Sequence, residues 1–224
     1  MNQPEHSHST RKVTLITTLV IVWLTGSLFG LWWFQQQAVR PFVEASDNPA
    51  ARNLTLVSEK LTTLYSRLPS PQTDLNPVTV IHLWNPDCLC NNVSARHTNA
   101  IIDAFTPEQL NFVMLAPAST SDQKIKEAQE LNPSATVIRQ QQNDDIPLTA
   151  SPALAVFNPA GKMAYFGAYG FGALCSLSDD SLFTNMITTL LNGESYGPFL
   201  NIAGSGCFCA WPAPISAHLT VETP

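Results

Sequence analysis

From position 13 to position 34 the chain carries no charged residue, and the run ends in Trp32 and Trp33 just before Gln35, Gln36 and Gln37. A hydrocarbon core of ~30 Å takes about 20 helical residues, and tryptophan favours the interface where such a span ends. The pattern therefore predicts a transmembrane anchor over residues 13–34, in contact with the lipid bilayer. A cleaved signal peptide is the competing reading, but its apolar stretch would be about 7–15 residues followed by small residues, and the glutamines supply no such site. Arg11 and Lys12 abut the span, whereas Arg40 and Arg52 lie farther out and share their segment with Glu44 and Asp47. That proximity predicts a cytoplasmic tail over residues 1–12 and an extracytoplasmic main domain, periplasmic if the source is Gram-negative.

Beyond the span the apolar positions fall into shorter periods. Leu54, Val57, Leu61, Leu64 and Leu68 alternate spacings of three and four and so share one helical stripe. The stripe reads as packing on a folded domain; a homodimer through residues 54–68 is the alternative. Leu68-Pro69-Ser70-Pro71 breaks the helix, giving a stalk helix and linker over 35–74. Residues 78–84 form an apolar, β-branched run suited to a buried strand. Asn91 and Asn92 are capping residues for a helix whose Val93, His97, Ala100, Ile101 and Ala104 share a face. Residues 112–116 predict a second strand, 119–121 cap a helix to about 131, and 135–138 make a short extended piece. Residues 153–157 and 162–169 flank Asn158-Pro159-Ala160-Gly161 and read as an antiparallel hairpin. Ser178, Asp179 and Asp180 open a last helix, with Phe183, Met186, Ile187, Leu190 and Leu191 on one face and Gly193 at its end. Alternation of strand and helix predicts an α/β domain over 75–192, followed by an extension over 193–224.

Composition narrows the function classes. The 224 residues carry a formal net charge of −6 with no basic stripe, too little positive charge to neutralise phosphates, so no nucleic acid partner is expected. The candidate chemistry is the five cysteines, placed by the anchor in a compartment where thiols oxidise.

Three features of residues 75–192 resemble the thioredoxin-like superfamily. Trp84-Asn85-Pro86-Asp87-Cys88 follows the first predicted strand and leads into a helix, like the Trp-x-x-x-Cys that ends that family's central strand. Ser151-Pro152 stands immediately before the hairpin, where the family has its cis-proline. The order of elements after the cysteine matches through to the last helix. The resemblance implies a thioredoxin-like fold, a central mixed sheet flanked by helices, with a redox site at Cys88. It also implies a cis bond at Pro152 and substrate contacts from Trp84, Ser151 and Pro152. The chain departs from the family pattern in having its second cysteine one residue early, at Cys90, and Asp87 where an aromatic residue often stands. His82 occupies the place of a buried acid; it is a candidate for proton exchange or, more blandly, a satisfied core histidine, as is His97.

The Cys-x-Cys spacing has consequences of its own. Residues two apart in a regular helix point to nearly opposite sides, so Cys88 and Cys90 bond each other only in an irregular turn, and such a bridge would be strained and oxidising. A helix N-terminus favours thiolate, which Asp87 opposes. The predicted strand directions return Cys175 to the same end of the domain. The tail after Gly193, up to ~45 Å long when extended, is long enough to bring Cys207 and Cys209 there as well. The stretch from Gly167 to Gly172 reads as a close-packed loop beside the site.

Three functions follow from these cysteines. One is membrane-anchored thiol-disulfide exchange with protein thiols or disulfides, requiring no cofactor. Cys88 reacts, Cys90 resolves, and Cys207, Cys209 and Cys175 are relay or resolving thiols. The second is metal binding or delivery, with Cys88, Cys90, Cys207 and Cys209 around a soft ion. The third is a non-catalytic binding scaffold in which the cysteines are bridged for stability; the bland reading of the tail pair is a disulfide staple to the body. Spacing alone names no definite bridges.

Overall fold

The computed structural model describes residues 6–47, 49–69, 71, 76–142, 144, 146–172 and 181–212. They belong to two compact units, residues 1–39 and 40–224. The first unit is helix α1 (His6–Ala38), which contains the predicted span and runs on past it at both ends. Its Arg11–Trp33 segment has a mean hydropathy of 1.9 and buries nothing inside the protein. Among the described residues it is the one helix long and apolar enough to cross a membrane.

The second unit opens with β1 (Arg40–Pro41), a short 3-10 turn (Pro49–Arg52) and α2 (Leu54–Tyr65). There follow β2 (Val78–Leu83), α3 (Asn91–Ala104), β3 (Leu110–Ala116), α4 (Asp122–Leu131) and β4 (Thr136–Arg139). Next come β5 (Ala150–Ser151), β6 (Ala153–Phe157), β7 (Met163–Gly167), α5 (Leu182–Leu191), β8 (Phe199–Asn201), β9 (Ser205–Gly206) and β10 (Cys209–Ala210). Six strands form one mixed sheet in the order β4-β3-β2-β6-β7-β8. β2, β3 and β4 run parallel, β6 is antiparallel to β2 and β7, and β8 is parallel to β7. This is the thioredoxin-like arrangement, a mixed sheet flanked by helices.

The sheet has a hydrophobic layer on each face, which is why β2 is buried at all six positions and reads as a continuous apolar run rather than an alternating one. One layer joins Ile81, Leu83, Leu115 and Phe157 to Val57, Leu61 and Leu64 of α2. The other joins Val80, Phe112, Met114 and Val156 to Ile101 of α3 and Phe183, Met186, Ile187 and Leu190 of α5.

Several expectations meet corrections. The folded unit begins at Arg40, not at 75, because the α2 stripe is buried in the domain's own core with Phe42, Phe208 and Trp211. The face that would pair two protomers through residues 54–68 is thus already covered. Nor does the domain end at 192: β8 adds a strand to the main sheet. Asn91 and Asn92 do not cap α3. Cys90 is the N-cap, with no side-chain cap bond, and Asn91 is already helical. The start of α5 predicted at Ser178, Asp179 and Asp180 lies outside the described residues. Its end is as expected: Gly193 takes φ +78° and its N–H donates to the Leu190 carbonyl at 3.1 Å, a left-handed terminus that suits glycine.

Candidate functional site

The corner between β2 and α3 is a short irregular turn held by its own backbone. The Trp84 N–H donates to the Leu115 carbonyl at 2.9 Å, which keeps the chain on the sheet for one residue past β2. Asn85 then makes an Asx turn, its Oδ1 accepting from the Asp87 N–H at 3.1 Å, and its carbonyl accepts the Cys88 N–H at 2.9 Å. The Cys88 carbonyl in turn accepts the Asn91 N–H at 3.2 Å. The turn buries Cys88 and Cys90, 4% and 7% exposed, and leaves Leu89 between them 85% exposed. Both cysteines precede the positive end of a 14-residue helix, which favours thiolate over thiol. Asp87, which the sequence expects to oppose this, forms a solvent-exposed ion pair with Lys124.

The C-terminal tail crosses this corner. β9 pairs antiparallel with β1, Arg40 opposite Gly206, and the Gly172 N–H donates to the Ser205 carbonyl at 2.8 Å. The glycine loop thus receives the tail, and backbones approach so closely there that a Cβ on Gly206 would lie 3.3 Å from the Gly172 carbonyl oxygen. Phe208 turns into the core, its ring edge-to-face with Phe42 at 5.1 Å and with Phe171 at 6.3 Å. β10 pairs antiparallel with β5, Cys209 opposite Ser151 and Ala210 opposite Ala150. Trp211 closes the segment: its indole N–H donates to Gln140 Oε1 at 2.8 Å and its backbone N–H to the Thr149 carbonyl at 2.9 Å.

Seated in this way, the two Cys-x-Cys units face each other in antiparallel register. Cys88 bonds Cys209 (S–S 2.04 Å, Cα–Cα 5.8 Å) and Cys90 bonds Cys207 (S–S 2.03 Å, Cα–Cα 5.5 Å). The Cys88–Cys90 bridge considered from spacing is not formed. Cys207 and Cys209 are half-buried, more open than their partners. The Ser151–Pro152 peptide bond is cis, and the Ser151 carbonyl oxygen lies 3.7 Å from Cys88 Sγ. Oxidised Cys88 has no proton to donate, so this contact becomes a hydrogen bond only for the thiol. The Ser151 hydroxyl is buried with no hydrogen-bond partner among the described residues.

The remaining residues singled out from sequence sit around this centre. Trp84 is half-buried against the α3-side layer and lines a cavity of about 180 Å³ with His82, Asn91 and Met114. His82 is buried, and burial lowers its pKa to about 4, opposed in part by a hydrogen bond to the backbone of Ala153, so its imidazole is neutral. Its Nδ1 lies 2.9 Å from the Tyr169 hydroxyl, and the His97 ring stacks on Tyr169 at 5.7 Å. Both histidines are thus core residues joined through Tyr169. Cys175 lies outside the described residues. Sequence reading missed Phe208, Trp211, Gln140 and Phe42; the available signal was the alternation in Cys207-Phe208-Cys209, which sends the cysteines one way and the phenylalanine the other.

Comparison with known proteins adds a fold relationship and a family. An uncharacterized conserved protein from Geobacillus kaustophilus superposes with a TM-score of 0.51 at 14% identity, covering 63% of this chain and 80% of that one. A putative thioredoxin from Neisseria meningitidis matches with a TM-score of 0.43 at 11% identity, over 53% of this chain and 77% of that one. A secreted Mycobacterium tuberculosis disulfide oxidoreductase homologous to E. coli DsbE matches with a TM-score of 0.38 at 14% identity, over 51% and 83%. No curated protein matches the chain. Residues 57–211, more than half of the chain and spanning both Cys-x-Cys units, match the family described as a domain of unknown function, DUF6436, and the chain belongs to that family.

Proposed function

We propose that the chain is a membrane-anchored thiol-disulfide oxidoreductase whose exchanging bridge is Cys88–Cys209. Residues 13–34 cross the bilayer, the N-terminus is cytoplasmic, and the domain from Arg40 works outside the cytoplasm, where bridges persist. The observation that carries the reading is the tail strand laid against β5 with its Cys209 joined to Cys88 beside the cis Ser151–Pro152 bond. That is the form of a covalent intermediate: an extended segment held by backbone pairing and by one disulfide to the cysteine at the helix N-terminus.

The chemistry follows from exposure and leaving-group strength. A thiolate of a dithiol partner attacks half-buried Cys209; the bond to Cys88 breaks, and Cys88 departs as a thiolate stabilised by the end of α3. The partner's second thiolate then attacks the partner's own sulfur in the mixed disulfide and releases Cys209. The partner has lost two electrons and the chain has gained them. In reverse, the Cys88 thiolate attacks a partner disulfide and Cys209 resolves it, the role that spacing had given to Cys90. The sulfurs of Cys88, Cys90 and Cys209 lie within 4.8 Å of one another, so Cys90–Cys207 is a second two-electron store within reach of Cys88.

The test follows the turnover of a fluorescent peptide disulfide by full-length chain in detergent, recycled by a small dithiol. Cys88→Ser is expected to drop the rate to the uncatalysed background. A rate equal to that of the native chain overturns the assignment and leaves the scaffold reading.

A further inference from the structure

Besides the two bridges, the tail is held to the domain by contacts that contain no sulfur. Phe208 and Trp211 are buried in the α2-side layer, β9 is paired with β1, and the Trp211 indole and backbone N–H groups bond Gln140 and Thr149. Reducing both bridges removes none of these contacts. Each bridge takes two electrons from one equivalent of a dithiol, which leaves as its own disulfide, and four thiols remain where the bridges stood. Three of them, Cys88, Cys90 and Cys209, have sulfurs within 4.8 Å of one another, and the first two are buried. Metal–thiolate bonds of ~2.3 Å place ligand sulfurs about 4 Å apart, a spacing the three reach once the Cys88–Cys209 bond, 2.04 Å long in the oxidised chain, is opened. The Cys207 sulfur, bonded to Cys90 at 2.03 Å, lies more than 4.8 Å from at least one of the other two.

We propose that the fully reduced chain binds one Cu(I) ion on Cys88, Cys90 and Cys209, a site that exists only when both bridges are open. Thiolates are soft ligands that select Cu(I), zinc or iron–sulfur clusters. Structural zinc sites and the common clusters take four protein ligands, whereas only three of these sulfurs lie mutually within 4.8 Å, which favours a low-coordinate ion. Each ligating thiol gives its proton to solvent as the ion binds, and the helix N-terminus assists the loss at Cys88 and Cys90. Burial of two of the three sulfurs shields the ion from water and oxidant.

This inference is separable from the exchange activity, because binding is read without turnover. Full-length chain in detergent is reduced anaerobically, freed of reductant and titrated against a chromophoric Cu(I) chelator, with Trp211 burial followed by fluorescence. The reduced chain is expected to withdraw one equivalent of Cu(I) from the chelator and the oxidised chain none, and reduced Cys209→Ser is expected to bind at least tenfold more weakly. A second variant, Cys207→Ser, is expected to keep one equivalent. No withdrawal by the reduced chain, equal withdrawal by the oxidised chain, or a Cys209→Ser affinity equal to the native one overturns the proposal. So does a shift of Trp211 emission to that of exposed indole on reduction, since the cluster depends on the tail staying in place.

Discussion

His82 shows how one buried side chain sets a pH dependence. Its imidazole sits beneath the cysteine corner, accepts or donates one hydrogen bond with Tyr169, and has its pKa lowered by desolvation to about 4 from an ordinary 6.5. Between those values the unfolded chain binds a proton that the folded chain refuses. Stability is therefore fully present above about pH 6.5 and falls as the pH drops towards 4, by roughly 1.4 kcal/mol for each unit crossed. In denaturant titrations the native chain should lose more stability over that window than His82→Asn, which keeps a hydrogen-bonding group but does not titrate. Equal losses in the two would mean that His82 is charged or solvated in the fold. The bland reading of this histidine was legible in the sequence because a strand of uninterrupted apolar and β-branched residues leaves little room for a charge. Its partner Tyr169 was not, since the contact spans 87 positions along the chain.

At the scale of elements, the sequence was most informative where structure is local. The α2 stripe, the β2 strand, the hairpin and the turn at Cys88 each appear near the predicted positions, because spacing, capping and turn residues act over a few positions. The tail was illegible for the opposite reason: Phe208 and Trp211 acquire meaning only from Phe42, Phe171 and Gln140, far away in the chain. Its two bridges close nearly the same loop, with sequence separations of 121 and 117. In the chain-entropy account a loop of that size is worth ~5 kcal/mol, but once one bridge is present the second closes only a ring of a few residues, worth ~2 kcal/mol. Losses should therefore be strongly non-additive. Replacing either pair by serine, Cys88 with Cys209 or Cys90 with Cys207, should cost about 2 kcal/mol, and replacing all four about 7 kcal/mol. Denaturant midpoints at constant slope check this, and additive costs would mean that the bridges constrain different loops.

In the whole molecule an apolar N-terminal helix precedes a thioredoxin-like domain whose Cys88 corner is covered by the chain's own C-terminal strand. Everything proposed about exchange depends on Cys88 being joined to Cys209 rather than to its neighbour Cys90. The most direct measurement is a peptide map of the chain isolated from membranes, alkylated and digested without reduction. The account predicts that the fragment carrying Cys88 and Cys90 stays covalently joined to the fragment carrying Cys207 and Cys209, and that in the Cys90→Ser, Cys207→Ser double variant the two fragments are still joined, through Cys88 and Cys209. Two separate fragments, each with an internal bridge from Cys88 to Cys90 and from Cys207 to Cys209, would contradict it.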